Sequence, residues 1–280
     1  MIERAADRKL YWGLLAPMCL ILLAAYIVPL CGVLLISVSE PKPGLGNYAT
    51  ILNSPAIGRV AWTTLRICGL TTLFAVIVGY LIAYALVRAR GLTRQLMFVC
   101  VLIPLWTSVL IRTFAWLLML GENGPLNAGL VWSGLVQQPL PLMHSEIGVV
   151  IGMTHYLLPY AVLTILAGMQ GIDERLTLAA RGLGGGPVTV FRRIYFPLTL
   201  PGVFAAAILV FVLSLGFYAT PIILGGGKVV LIGEYISTQI LQIARWGVGT
   251  ALASLLLVLV LAALGVAARF FGHRREFLAG

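Results

Sequence analysis

A chain of 280 residues with 60% hydrophobic and 10% charged residues and a mean hydropathy of +1.02 is not a soluble domain, because soluble domains carry about a quarter charged residues. The length accommodates roughly six apolar spans of about 20 residues with short connections, as one membrane domain. The net charge of +10 does not indicate nucleic acid, since the basic residues lie between apolar runs and not on one soluble face interleaved with aromatic residues.

The first apolar run, from Tyr11 to about Ser37 after the opening MIERAADRKL, exceeds the roughly 7 to 15 residues of a signal-peptide core and reads as a retained span. The expected fold class is an all-α integral membrane protein of six transmembrane helices, at about 11–37, 62–87, 96–120, 147–170, 201–223 and 248–271. The organisation expected is an N-terminal segment with the first span and an external loop (1–61), a transmembrane core (62–271) and a tail (272–280). Cys19, Cys31, Cys68 and Cys100 all fall inside apolar runs without CxxC spacing, so they read as small buried hydrophobes and not as metal ligands.

The connections divide by charge. Arg4, Arg8, Lys9, Arg88, Arg90, Arg94, Arg175, Arg181, Arg192, Arg193, Arg269, Arg274 and Arg275 fall on one side. The other side, residues 38–61, 121–146 and 224–247, holds only Lys42, Arg59, Lys228 and Arg245. The positive-inside bias predicts that both termini are cytoplasmic. Trp12, Trp62, Trp132 and Trp246 near span ends fit an interfacial aromatic belt.

On the same side lies the longest internal connection, 171–200, containing LAARGLGGGPVTVFRRIYFPLTLPG. Leu176, Ala179, Ala180 and Leu183 keep helical spacing, and Val188, Phe191, Ile194 and Tyr195 repeat the stripe. Gly184, Gly185 and Gly186 supply a reversal, and Pro187 suits a first helical position. A helix, turn, helix is predicted, with one apolar and one arginine-bearing face. Periodicity leaves two readings open: an amphipathic element on the bilayer surface, or a knob for a soluble partner.

The order of residues resembles the cytoplasmic loop of permease subunits in binding-protein-dependent ABC importers, whose pattern is E-A-A-x3-G-x9-I-x-L-P. Ala179 and Ala180 match the paired alanines, Gly184 the glycine, Ile194 the isoleucine and Pro197 the proline; Pro201 and Gly202 extend the match. Leu178 stands where the family has glutamate and Phe196 where it has leucine; Glu174, one turn earlier on the same face as Leu178 and Arg181, is a candidate replacement for the missing carboxylate. The stretches PLWTSVLIRTFAW, GENGPLN, GFYATPIILGGG and WGVGTALA look like the spermidine/putrescine-type branch, in particular the first of its two paired permeases.

The resemblance implies a bacterial inner-membrane, multi-pass permease that is not itself an enzyme. Its implied partners are a second homologous permease, two copies of a cytoplasmic ABC ATPase that bind ATP and Mg, and an extracytoplasmic substrate-binding protein delivering a small polar solute such as a polyamine. No cofactor is expected in this chain. The resemblance places ATPase coupling in this loop, at Ala179, Ala180, Gly184, Ile194 and Pro197, which match its pattern, and the expectation extends to Glu174, Arg181, Phe191, Arg192 and Arg193 beside them; the apolar surface a coupling element must bury makes Phe191 the expected anchor.

Elsewhere, Arg112 is the one basic residue deep in the third span, about 24 Å along an unbroken helix. Charge there marks either a pathway or a side chain snorkelling to the interface, and the resemblance favours a gate. Arg66, four residues past Trp62, reads as snorkelling. Trp116, Phe217, Tyr218 and Thr220 are further pathway or gate candidates, against ordinary helix packing; Gly216 and Pro221 would loosen their helix.

His155 has no acid or second histidine at ligand spacing and reads as a satisfied core residue. Neither GLGGGP nor GGGKVV forms a phosphate loop. A secondary transporter is the alternative from another class, but Glu3, Asp7, Glu40, Glu122, Glu146, Asp173, Glu174, Glu234 and Glu276 all fall outside the span cores, which argues against ion coupling. No nucleophile, base or metal constellation supports a membrane enzyme.

Overall fold

The computed structural model describes the backbone of residues 2–278 and the side chains of residues 15–265. The terminal basic clusters (Arg4, Arg8, Lys9; Arg269, Arg274, Arg275) and Trp12 lie outside the described side chains.

Among the described residues every regular element is helical: α1 (Ile2–Ser39), α2 (Gly46–Leu52), α3 (Pro55–Arg88), α4 (Gly91–Trp106), α5 (Val109–Leu120), α6 (Pro125–Trp132), α7 (Glu146–Gln170), α8 (Glu174–Gly182), α9 (Pro187–Val190), α10 (Phe196–Leu215), α11 (Ala219–Gly225), α12 (Ile232–Ser237) and α13 (Trp246–Leu278). Five helical stretches are long and apolar enough to cross a bilayer, or six if a bent pair counts as one. Helix is the open-chain solution in lipid because it satisfies backbone N–H and C=O groups within the segment.

Two compact units are present, residues 1–54 with 236–257, and residues 55–235 with 258–280. In the first, the end of α1 is closed by Asn47, whose Nδ2 donates to the carbonyls of Ser37 (2.9 Å) and Glu40 (2.7 Å). In the second, α7 is the central element: 56% of its apolar window is buried. Ala83 and Leu86 of α3, Val162, Ile165, Leu166 and Met169 of α7, and Ala206 of α10 form one core cluster. Ala75, Leu157, Ala161 and Val210 continue it along the same three helices. Gly168 and Gly202 set the α7–α10 distance, since a Cβ on Gly168 would lie 3.0 Å from the Cα of Gly202.

Four expectations are corrected. The third span is not continuous: Thr107 and Ser108 take extended backbone (ψ 141° and 139°) and the two halves meet at 104°. The fifth ends at Leu215, and after Gly216–Tyr218 the chain restarts as α11, so glycine here breaks the helix and does not merely loosen it.

The second limb of the 171–200 connection is not a separate helix, because α9 runs through a π-helical turn (Phe191–Tyr195) into α10. The cause is Pro197: it has no N–H for the Arg193 carbonyl and its ring crowds that group, so the preceding turn widens and the Phe196 N–H bonds Phe191. Finally, only Cys68 is a buried hydrophobe; Cys19, Cys31 and Cys100 are exposed on their helices.

Candidate functional site

The loop between α7 and α10 is built by local chemistry. Asp173 caps α8 by accepting from the Arg175 N–H (2.9 Å), and Glu174 in the first turn and Arg181 in the last complement the helix dipole. Gly184 takes φ +84°, a left-handed value disfavoured for any residue with a Cβ. This lets the Gly185 N–H return to the Ala180 carbonyl at 3.0 Å. Pro187 then opens α9.

Beyond that turn the aromatic residues pack against α3. Phe191 meets Tyr84 of α3 edge-on (5.5 Å between centroids), as does Tyr195 (5.8 Å), and Phe196 meets Tyr80 (5.8 Å). The Arg88 guanidinium lies 3.9 Å over the Tyr84 ring. Phe191 is therefore spent largely on α3, and Ile194 and Tyr195 are half-buried. The apolar side chains left free are Leu183 (91% exposed), Val188 (76%), Leu178 and Leu176, among exposed Arg175, Arg181, Arg192 and Arg193. Glu174, Ala179, Gly184 and Pro197 are also exposed, and Ala180 is half-buried.

A second constellation gathers at the two span breaks. Arg112 is 8% exposed and does not snorkel. Its guanidinium donates to the Pro104 carbonyl, to the Thr107 carbonyl (2.9 Å) and to Thr107 Oγ1 (2.8 Å), and lies 4.7 Å from the Tyr156 ring. Tyr156 meets Phe217 edge-on at 4.7 Å. Thr113 and Thr220 share a hydroxyl contact at 3.4 Å, and Gly152 of α7 leaves room for Thr220 and Leu224 of α11.

Arg112, Phe217 and Thr220 are thus brought together, with Tyr156, Thr113 and Thr107 as members that sequence reasoning missed. Trp116 is apart from them, donating its indole N–H to His155 Nδ1 at 3.1 Å, so His155 is a satisfied polar residue. Tyr218 is exposed.

Two nearly wholly apolar clefts of about 490 and 520 Å³ flank His155, one between α3, α4 and α7 and the other between α3, α5 and α7. Among the described residues no group of three or more His, Cys, Asp or Glu is placed to hold a metal.

The connections hold more order than their composition announced. Arg66 has a specific partner: it pairs with Glu146 at the start of α7, both side chains remaining exposed. Asn127, within GENGPLN, is fully buried and closes its loop by donating to the Gly121 and Leu140 carbonyls (both 3.0 Å) and accepting from the Leu140 N–H (2.9 Å). At the start of α12 the Ile232 N–H is taken by Thr64 of α3 (2.8 Å), and Glu234 accepts from the Leu231 N–H, as the third helical residue of a capping box does. Burial pushes the Glu234 carboxyl above its usual range, and that backbone hydrogen bond offsets part of the rise.

Apolar helices around a central α7, two of them interrupted at a shared polar and aromatic junction, define the class as a helical polytopic membrane protein. The chain belongs to the family of binding-protein-dependent transport system inner membrane components, whose model matches residues 75–275. It is 34% identical over 214 residues to the spermidine/putrescine transport system permease protein PotB of Haemophilus influenzae, covering 76% of this chain and 74% of that one. To PotB of Escherichia coli K12 the identity is 33% over 207 residues, covering 74% and 75%. Among solved structures, a bacterial alginate ABC transporter in complex with an alginate pentasaccharide-bound periplasmic protein shares the fold, with a TM-score of 0.75 at 20% identity over 95% of both chains. The chain is accordingly a membrane permease subunit of an ABC importer and not an enzyme.

Proposed function

We propose that this subunit translocates a small polar cation of the polyamine class, received from an extracytoplasmic binding protein. It does so as one of two homologous permeases set above two cytoplasmic ABC ATPases that hold the ATP and Mg. The observation that carries the substrate class is the kinship with two spermidine/putrescine permeases across three quarters of the chain. The transmembrane core is assigned to 62–271, with 1–61 preceding it and 272–280 as tail, and both termini on the cytoplasmic side, as the basic residues in the connections favour.

The loop centred on α8 is the coupling element. Its turn is fixed by Gly184, its base is stacked on α3, and its free face offers Leu178, Leu183 and Val188 inside a rim of arginines, which suits an apolar cleft edged with acid on the ATPase. Phe191 holds the loop to its own span, and Glu174 is free to stand in for the carboxylate missing at Leu178. Arg112, Trp116, Phe217, Tyr218 and Thr220 belong to the gate region.

One feature favours a second reading, an importer of the same class for an opine, an amino-acid derivative or a phosphonate: among the described residues the buried ion within a span is a cation, Arg112, and none of the acidic residues lies in a span core. Calorimetry on the extracytoplasmic binding protein that delivers solute to this subunit separates the two. Spermidine or putrescine binding supports the first reading, and binding of an anionic solute in their place overturns it. Uptake by the assembled complex should require ATP; uptake by the purified chain alone on an ion gradient would mean a secondary transporter.

A further inference from the structure

A span broken inside hydrocarbon must find partners for the backbone groups that the break sets free. At the end of α4 those groups are the last carbonyls, among them Pro104 and Thr107, which no helical N–H follows. Arg112, in the first turn of α5, folds back and serves both, and its Nε and Nη2 also reach Thr107 Oγ1 at 3.2 and 2.8 Å. Its hydrogen bonds are thus directed to its own chain.

The guanidinium has a second engagement, with Tyr156 on α7, and the same ring abuts Phe217, the middle residue of the other break. A planar cation can bond in its plane and stack on its face at once, which lysine cannot. One residue further on, Thr113 of α5 touches Thr220 of α11. Gly152 admits α11 closely against α7, where a Cβ would lie 2.4 Å from Leu224 Cδ1.

We propose that Arg112 is a positioning residue that latches the break in the α4–α5 span to the break in the α10–α11 stretch through the ring of Tyr156, so that α5 and α11 move as one body. The latch rests on the reading of this chain as a permease that changes conformation. It does not depend on which solute is carried, and it assigns Arg112 to the moving frame of the gate and not to the lining of the pathway.

The test uses the full transporter in membrane vesicles, with the four native cysteines replaced by alanine and the Thr113→Cys, Thr220→Cys pair introduced. Oxidation should join α5 to α11 rapidly in that background. Tyr156→Leu should slow the cross-link at least threefold, and Tyr156→Phe, which restores the ring, should recover most of the rate.

Arg112→Met should match Tyr156→Leu, and the two together should add nothing. Should Arg112→Met fail to assemble, Phe217→Leu replaces it, because that change leaves the end of α4 capped. Undiminished cross-linking in Tyr156→Leu, additive effects, or equal damage from Tyr156→Phe and Tyr156→Leu would overturn the latch. No solute enters the assay, so a wrong substrate class leaves its outcome unaffected and is exposed instead by the calorimetry above.

Discussion

Buried polar side chains in the second unit are held chiefly by backbone groups, and the departures show where chemistry has been left open. Asn127 uses both ends of its amide on its own loop, whereas Glu234 accepts one backbone hydrogen bond and leaves Oε2 buried without a partner. Burial raises its folded-state pKa above the ordinary 4.5, so between that value and the raised one the folded protein holds the proton more tightly than the unfolded chain. The contribution of Glu234 is therefore most favourable below pH 4.5 and is lost as the pH climbs through the folded value. Glu234→Gln, which cannot ionise, should be more stable than the parent at pH 8, with the gap closing towards pH 4.5. A gap that stays constant with pH in thermal melts would contradict this. Sequence alone singled out Arg112 for its rarity. It did not single out Tyr156, because an aromatic residue in a span is ordinarily packing.

At the scale of elements, the coupling loop separates into a part that holds and a part that is free. Phe191 lies in an aromatic cluster with Tyr84, Tyr195 and Phe196, while Leu183 stands at the turn almost wholly in solvent. Leu183→Asp should leave the melting temperature unchanged, since exposed substitutions usually fall within about 0.5 kcal/mol, yet reduce recovery of the ATPase with the permease at least threefold. Phe191→Ala should instead destabilise the fold by about 1–3 kcal/mol, less than the ~3–5 of a fully buried phenylalanine. Copurification and thermal melts on both variants check the contrast; equal effects would return Phe191 to the docking face. The stripe containing Phe191, Ile194 and Tyr195 was legible from spacing, but which neighbour covers it was not. Periodicity fixes a face of a helix and says nothing of whether α3 or another chain lies against it.

For the whole molecule, the second unit is organised on α3, α7 and α10, and α7 and α10 approach backbone to backbone at Gly168 and Gly202. Gly168→Val should lower the yield of folded protein sharply, because the obstructing atom is a main-chain Cα that cannot turn aside, and overpacking typically costs about 1–3 kcal/mol even where side chains can adjust. Size-exclusion profiles in detergent would show it as aggregated material; a monodisperse, fully active variant would mean the helices can part. The sequence by itself determined that this chain lives in a bilayer and roughly where its apolar stretches lie, because hydropathy is a sum over neighbours in the chain and lipid admits few alternatives to helix. It also determined the loop pattern that marks the family. Only the tertiary structure decided that two stretches are interrupted, that Arg112 and Phe217 share Tyr156, and that Arg66 finds Glu146 eighty residues away. Those outcomes depend on which carbonyl, ring or carboxylate a neighbouring helix brings within reach, and a linear pattern does not carry that distance.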